Sequence, residues 1–180
     1  RPCENACKVK AIHMDEKTKA AAIDDSKCIS CGACVYQCPF GAITDKSYII
    51  NVVDILKKSA QNKKFKVFAV VAPSVSSQFT YAKLGQVVTG LKELGFHTVV
   101  EAALGADMVA DAESKELAEK GFLTSSCCPA FVDYIEKNFK DLVPFVSHNL
   151  SPMATIAKYL KENEAPCKVV FIGPCTAKKA

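Results

Sequence analysis

The sequence predicts an α/β protein in which a parallel, doubly wound sheet follows a small, cysteine-rich α+β module. Six of the ten cysteines lie within the first 38 of 180 residues. Beyond about residue 65, short apolar runs rich in β-branched residues alternate with longer amphipathic segments. Strands that alternate with helices are typical of a parallel sheet with helical crossovers. Because 49% of the residues are hydrophobic, the chain can build a substantial core.

The charge and the cysteines narrow the class of protein. The net charge is +4, and Arg1 is the only arginine, which argues against a nucleic-acid partner because such recognition relies on arginine forks. No apolar run has membrane-spanning length, so no membrane partner is expected. Clustered thiols in so apolar a chain indicate metal or redox cysteines in a reducing compartment, and we expect a cytoplasmic location. Without an initiator Met, and ending in "GPCTAKKA", the chain looks truncated at both ends.

An internal repeat organises the cysteine-rich module. Four residues recur 31 positions further along the chain: Cys3, Cys7, Ala11 and Ile12 return as Cys34, Cys38, Ala42 and Ile43. The second copy reads C-x2-C-x2-C-x3-C-P, the spacing of bacterial two-cluster ferredoxins. In that spacing one loop provides three ligands to a [4Fe–4S] cluster, and its fourth cysteine binds the other cluster. The predicted complete set is Cys7, Cys28, Cys31 and Cys34.

Cys3 and Cys38 are assigned to the second cluster, whose two other ligands would precede Arg1. A structural zinc site is the alternative, since paired C-x2-C spacings also suit tetrahedral zinc. The third C-x2 step, the closing Cys-Pro and the repeat favour two [4Fe–4S] clusters.

The remaining elements follow in order. A Lys-rich helix over about 48–65 is predicted to connect the ferredoxin-like module (1–47) to the α/β part (66–180). Buried or half-buried strands are expected at 66–72, 97–102, 121–125 and 168–172. Helical spacing predicts helices within 76–95, 107–121, 128–139 and 152–163, the first of them ending at Gly95 and the last beginning at Ser151-Pro152.

Polar and thiol side chains collect where these strands end. The ends carry Ala72-Pro73-Ser74, Cys127-Cys128-Pro129 and Pro174-Cys175. In an open parallel sheet the ligand site lies beyond the carboxyl ends of the strands, so these segments are expected to converge on one edge. Two cysteines alone cannot hold a cluster, so further ligands must come from outside this sequence.

Two of these segments resemble the signatures of a known family. "TSSCCPAF" (124–131) is similar to the first signature of the [FeFe]-hydrogenases, or iron-only hydrogenases, and "GPCTAKK" (173–179) to the second. The upstream ferredoxin-like module also matches the family in order. The resemblance implies a large-subunit fragment that holds the accessory-cluster module and the first half of the domain for the catalytic H-cluster. The third signature, with two more cysteines, lies outside the sequence.

The resemblance implies roles at the H-cluster, a [4Fe–4S] cluster joined to a diiron unit with CO and CN⁻ ligands. Cys128 and Cys175 would be two of four ligands to the cube, while Cys127 would bind no iron and would pass protons to the diiron unit. Lys178 would donate a charged hydrogen bond to one cyanide. Pro73 and Ser74 would line the diiron pocket, although the two residues alone would suggest a strand-to-helix turn with a serine cap.

Three further residues are similar to the proton path of the family. The implied order from solvent is Glu116, Ser147, Glu113 and then Cys127 through a water, with each hop within hydrogen-bond reach. Without the resemblance, a glutamate pair one helical turn apart would be interpreted as a solvated face.

The resemblance therefore implies an enzyme for 2 H⁺ + 2 e⁻ ⇌ H₂, inactive as this fragment alone. Expected partners are H₂ and protons, a ferredoxin or another redox carrier, and the missing C-terminal half. Gly173, Met153 and Phe131 depart from the Met, Gln and Trp of well-known catalytic members. These departures leave open an H₂-sensing relative or a non-catalytic iron–sulfur assembly or scaffold protein. The retained Cys127 argues against a scaffold.

Overall fold

The computed structural model describes residues 1–180 and contains eight α-helices, one 3-10 helix and five strands. The α-helices are α1 (Pro2–Ala6), α2 (Ala33–Tyr36), α3 (Ile49–Lys58), α4 (Val75–Gln78), α5 (Leu84–Glu93), α6 (Ala102–Lys120), α7 (Pro129–Asn138) and α8 (Pro152–Asn163). The 3-10 helix is Lys140–Phe145, and the strands are β1 (Ile12–Met14), β2 (Ala21–Ile23), β3 (Lys66–Val71), β4 (Thr98–Glu101) and β5 (Cys167–Ile172).

The chain divides into two compact units. The first contains Arg1–Lys46, Cys128–Val146 and Cys175–Ala180, and the second contains Ser47–Cys127 and Ser147–Pro174. Each unit has its own sheet, one with two antiparallel strands and one with three parallel strands. The predicted α/β class with a parallel sheet is confirmed. The domain boundaries near residues 47 and 65 stay predictions.

In the first unit, part of the sequence repeat is also seen in the backbone conformation. β1 pairs with β2 antiparallel, with Ile12 opposite Ile23. The turn after Cys7 recurs after Cys38, because the amides of Lys10 and Gly41 donate to the carbonyls of these cysteines at 3.2 and 3.4 Å. Lys10 and Gly41 also share a left-handed backbone, with φ of 54° and 62°. The two copies therefore share the turn that follows their last cysteine.

The second unit is built around β3, the central strand of the order β4-β3-β5. Residues 67–71 are all buried, as expected for a continuous apolar run in a parallel sheet covered on both faces. Alternate side chains point to opposite faces, so Phe68 and Val70 pack with Ala102 of α6 and Ile156 of α8. On the other face, Val67 and its neighbours pack against side chains of α3 and α5: Val52, Ile55, Leu56 and Leu91.

Helices α6 and α8 approach each other closely enough that their contact requires a glycine. A Cβ atom added at Gly105 would lie 2.2 Å from the backbone oxygen of Pro152. Pro152 is the first residue of α8, and the Ser151 hydroxyl before it accepts a hydrogen bond from Ala154 N at 3.4 Å. This contact holds the start of α8 against α6. The predicted helix start at Ser151-Pro152 is confirmed.

Three predicted elements differ in the structure. The strand expected at 121–125 is wrong, since only Thr124 forms an isolated β-bridge. Ser125 and Ser126 there direct their side chains to hydrogen bonds outside any ladder. Helix α6 begins at Ala102 rather than near residue 107, and α3 ends at Lys58 rather than near residue 65. None of the helices combines the length and apolarity that crossing a bilayer requires.

The early end of α3 results from a left-handed turn that one side chain stabilises. Ala60, Gln61 and Asn62 all have positive φ, between 52° and 63°. The Asn62 side chain accepts a hydrogen bond from Val67 N at 2.9 Å and donates to Gly95 O at 3.0 Å. Asn62 thus satisfies backbone groups at the start of β3 and just before β4.

We expect Asn62→Ala to destabilise the protein by about 2 kcal/mol, because it leaves a backbone donor and a backbone acceptor without partners. Urea denaturation measures the change. Asn163→Ala is the control, since the exposed Asn163 amide contacts only the carbonyl of Tyr159 on the same helix. Equal losses of stability in the two variants would contradict the bridging role of Asn62.

Candidate functional site

In the first unit, four cysteines line one cavity of about 340 Å³. They are the four residues that the repeat assigns to a complete set: Cys7, Cys28, Cys31 and Cys34. Cys3 and Cys38 do not line this cavity. Four thiols around one space are a suitable donor set for a [4Fe–4S] cluster, which takes one thiolate on each iron.

Backbone amides donate hydrogen bonds to cysteine sulfur atoms in both copies of the repeat. Ala11 N donates to Cys7 Sγ at 3.2 Å, and Ala42 N donates to Cys38 Sγ at 3.3 Å. These two hydrogen bonds are related by the 31-residue repeat. Amide donors stabilise the charge on sulfur, and hydrogen bonds to sulfur tune the potential of iron–sulfur clusters. The local backbone therefore suits thiolate ligands in both copies of the repeat.

Two side chains from later in the chain hold the Cys28–Cys34 loop. Lys137 of α7 donates from Nζ to the carbonyl of Cys28 at 2.5 Å. The Thr176 hydroxyl donates to Ser30 O at 2.9 Å, and a Cβ atom at Gly32 would lie 2.4 Å from Thr176 Oγ1. The loop carrying three predicted ligands is therefore bound to the segment that follows Cys175.

The thiol pKa values reflect these surroundings. Burial raises the pKa of the Cys34 thiol, and the nearby Cys28 and Cys31 raise it further. Backbone amides, first that of Phe40, lower the pKa of Cys38. Thiolates on this loop would repel one another, and a positively charged metal centre would relieve that repulsion.

No group of three or more His, Cys, Asp or Glu side chains is drawn together closely enough to hold a single metal ion. This finding concerns ligands that share one ion, as in a zinc site. In a [4Fe–4S] cluster each of the four cysteines binds a different iron, so the sulfurs are spaced more widely.

Three other predicted site residues belong to the first unit. Cys128 is half-buried and caps α7, and its carbonyl accepts hydrogen bonds from the amides of residues 131 and 132 at 3.0 and 3.1 Å. Cys175 and Lys178 are half-buried near the last residues of the chain. Beside them, Lys179 forms an ion pair with Asp45 and donates its amide to Thr176 O.

Pro73 and Ser74 of the second unit follow β3 directly, as predicted. Ser74 is the N-cap residue of the four-residue helix α4, but its side chain makes no capping hydrogen bond. The strand-to-helix turn is as the alternative interpretation expects, and the assignment of Ser74 to the diiron pocket stays a prediction. A Cβ atom at Gly173 would lie 2.7 Å from the Phe171 ring and 3.0 Å from Ala72 Cβ, so little space remains for a side chain there.

Glu116 lies at the centre of a hydrogen-bond network in the second unit. Its Oε1 accepts from Lys120 Nζ at 2.7 Å and from His148 N at 3.3 Å. Its Oε2 accepts from Ser147 Oγ and from Asn149 Nδ2, both at 2.9 Å. The Lys120 hydrogen bond, followed by those of Ser147 and His148, lowers the pKa of Glu116 to about 2.

Glu113, one turn earlier on α6, has different partners. Its Oε1 accepts from the Ser125 hydroxyl at 2.9 Å and from Ser126 N at 3.4 Å. Ser125 Oγ in turn accepts from Cys127 N at 3.3 Å. Ser125 thus joins Glu113 to the backbone of the exposed Cys127.

The structure brings together part of the predicted proton path. Glu116 and the buried Ser147 are in direct contact, and Glu113 is joined to Cys127 through Ser125. The hydroxyl of Ser147 bonds to Glu116, not to Glu113. The sequence analysis did not identify Ser125 or Asn149. The position of Ser125, two residues before Cys127, is the only sequence signal for either residue.

The comparisons with known proteins give first a class and then a family. Residues 1–42 match the 4Fe-4S dicluster domain, which defines the chain as an iron–sulfur protein. Residues 65–180 match the C-terminal domain of the iron-only hydrogenase large subunit. The chain belongs to the iron-only hydrogenase large-subunit family.

The similar proteins include both hydrogenases and assembly factors. Iron hydrogenase 1 of Clostridium pasteurianum is 29% identical, over 96% of this chain and 41% of its own length. The NADP-reducing hydrogenase subunit HndD of Solidesulfovibrio fructosivorans is 28% identical, over 86% of this chain and 31% of its own length. A cytosolic Fe-S cluster assembly factor of Yarrowia lipolytica is 26% identical, over 91% of this chain and 38% of its own length. The chain thus spans well under half the length of these relatives.

We expect Gly32→Ala to lower the iron content of the reconstituted protein. The added Cβ would overlap Thr176 in the loop that carries three cysteines, and φ at this position is +78°. Gly41→Ala is the matched control, because it has a φ of +62° but nothing within 4 Å of its added Cβ. Left-handed strain of about 1–2 kcal/mol is common to both variants. Equal iron loss in both would assign the effect to strain alone.

Glu116→Gln tests the lowered pKa of this carboxylate. A group whose folded pKa is depressed stabilises the protein above its unfolded pKa, and this contribution is lost as the pH falls through the folded value. Above pH 4.5 we expect the free energy of unfolding of the variant to be lower than that of wild type by a constant amount, and this difference should shrink between pH 4.5 and about 2. Urea denaturation midpoints at each pH measure the difference. The exposed Glu119→Gln is the control. A deficit that grows on acidification would contradict the assignment.

Proposed function

We propose that this chain is part of an iron–sulfur oxidoreductase that interconverts protons and electrons with H₂ according to 2 H⁺ + 2 e⁻ ⇌ H₂. The observation that carries the proposal is the pair of hydrogen-bonded carboxylates on α6. Glu116 contacts the buried Ser147, and Glu113 contacts Ser125 beside Cys127. A proton path needs carboxylates and hydroxyls in hydrogen-bond contact, and these residues supply them in the segment just before Cys127.

Electrons would enter through the cysteine module. Cys7, Cys28, Cys31 and Cys34 would hold one [4Fe–4S] cluster around their common cavity, and Cys3 and Cys38 would contribute to a second. A ferredoxin or another redox carrier would supply or receive the electrons, in the cytoplasm. Thr176 and Lys137 would keep the ligand loop in place when the cluster changes its charge.

The H-cluster, when bound, would supply the metal chemistry of H₂ formation and cleavage. Cys128 and Cys175 would hold its cubane, and Lys178 would donate to an anionic ligand. Ser74 has a hydroxyl that no helix cap uses, so it could donate to a second such ligand next to Pro73. Cys127 would exchange protons at its thiol, with Glu113 next in line through a water, because Ser125 Oγ bonds to the backbone amide of Cys127.

Cluster assembly or scaffolding is the second candidate, and Gly173 favours it. The space at this position is closed by Phe171 and Ala72, so the Met of well-known catalytic members would not fit without repacking. Several similar proteins are named cytosolic Fe-S cluster assembly factors, which supports the same candidate. The carboxylate network has no place in that function, and we therefore rank H₂ conversion first.

The two candidates are separated by infrared spectroscopy of the protein expressed anaerobically from its complete gene together with the hydrogenase maturation machinery. A known hydrogenase provides the positive control. Bands of metal-bound CO and CN⁻ together with H₂ turnover are expected. Iron-loaded protein without these bands would overturn H₂ conversion and support the assembly candidate, whereas bands without turnover would indicate an H₂ sensor.

Cys127→Ser should lower H₂ turnover by about 10²–10⁴-fold, because a serine hydroxyl exchanges protons far less readily than a thiol. Iron content should stay at the wild-type value, since Cys127 is assigned no iron. Cys167→Ser is the matched control, because that thiol lies on β5 and donates only to Leu160 O at 3.6 Å. Iron loss in the Cys127 variant would show instead that this thiol is a ligand.

A further inference from the structure

Asn149, in the loop between the 3-10 helix and α8, bonds to two of the proposed proton-carrying residues at once. Its side-chain amide donates to Ser147 Oγ at 3.0 Å and to Glu116 Oε2 at 2.9 Å. Its backbone amide donates to Ser147 Oγ at 3.1 Å. Its backbone carbonyl accepts from the Ser126 hydroxyl at 2.5 Å, which fixes the loop to the segment before Cys127.

These bonds fill the hydrogen-bonding capacity of Ser147. A serine hydroxyl has one proton to donate and two lone pairs to accept with. Ser147 donates its proton to Glu116, and both lone pairs receive N–H groups of Asn149. An amide N–H is not a proton donor in the acid–base sense, so Ser147 can neither receive a proton from Glu116 nor donate to Glu113 in this arrangement.

The acceptor positions of the Glu116 carboxylate are occupied as well. A carboxylate offers about four lone-pair positions, and Glu116 accepts from Lys120, His148 N, Ser147 and Asn149. A proton arriving at Oε2 would face the N–H of Asn149 or the hydroxyl of Ser147. One of these donors must therefore turn away before Glu116 can carry a proton toward Ser147.

The side chain of Asn149 has space into which it can turn. It lines an open cavity of about 370 Å³ together with His148, Leu150 and Tyr159. The charged groups of this cavity are Lys158 and Glu162 of α8, which offer polar partners to a displaced amide. Lys120, on the helix of Glu116, bonds to Oε1 and therefore does not compete with Asn149 for Oε2.

We propose that Asn149 is a positioning residue that holds the Ser147 hydroxyl toward Glu116 and thereby interrupts proton transfer to Glu113 until its side chain moves away. In the open arrangement the Glu116 carboxyl gives its proton to Ser147 Oγ while Ser147 gives its own hydroxyl proton to the Glu113 carboxylate, directly or through one water that passes on a proton as it receives one. Ser147 is unchanged overall, and no electron moves. The inference rests on the proposed function, because it assigns a role within the same proton path.

The test uses the matured protein from the complete gene and compares wild type, Asn149→Ala, Ser147→Ala and the double variant. We expect Asn149→Ala to raise H₂ evolution at least about fivefold where proton transfer limits the rate. The variant loses one neutral hydrogen bond to Ser147, which alone gives a change of that size, and a second bond to the charged Glu116. The solvent deuterium isotope effect should fall as well. In the Ser147→Ala background the Asn149 substitution should have no effect, because the hydroxyl it positions is absent. Asn163→Ala, on the surface of α8, is the control.

Unchanged turnover in Asn149→Ala, or a gain that persists without Ser147, would overturn the inference while H₂ evolution by wild type upholds the proposed function. If wild type makes no H₂, the proposed function fails separately. An isotope-edited infrared titration of the Glu116 carboxyl then decides the role of Asn149. A titration shifted to higher pH by Asn149→Ala would support the positioning contact, and an unshifted one would overturn it.

Discussion

The double-sided burial of β3 is the constraint on which the second unit depends. Because residues 67–71 have no solvent-facing side, helices must cover both faces of the sheet. Ala102 of α6 and Ile156 of α8 cover one face together, and Gly105 allows the two helices to touch at the backbone of Pro152. That contact lies directly after the 147–150 loop. The packing of the core therefore determines which loop meets the glutamates of α6.

Because the 147–150 loop lies against α6, several hydrogen-bond donors surround the Glu116 carboxylate. Glu116 is largely shielded, with 13% of its side chain exposed, yet it remains charged because Lys120 and three neutral donors surround it. Such an arrangement orients the carboxylate well but opposes its protonation. A relay built from it needs a movable donor, whereas Glu113 has only the two neighbouring serines as partners.

The first unit follows a different rule, in which local turns position the cysteines. The turns after Cys7 and Cys38 are alike, and each directs an amide at its sulfur. The Cys28–Cys34 loop requires a glycine at residue 32, where Thr176 leaves no room for a side chain. The Cys28–Cys34 loop and the segment after Cys175 are therefore held together by the Thr176 hydroxyl, which bonds to Ser30 O and packs against Gly32.

The sequence by itself determined the α/β class, the buried strand β3, the position of strand β5 and the cysteine set of one cavity, because period, composition and cysteine spacing are local properties. It also placed Glu116 beside Ser147, through the family resemblance. Only the tertiary structure decided that residues 121–125 form no strand, that Ser147 faces Glu116 rather than Glu113, and that Asn149 fills the remaining positions on that hydroxyl. These outcomes depend on which loop packs against α6. Residues 116 and 149 are 33 positions apart, so no local sequence pattern predicts their contact.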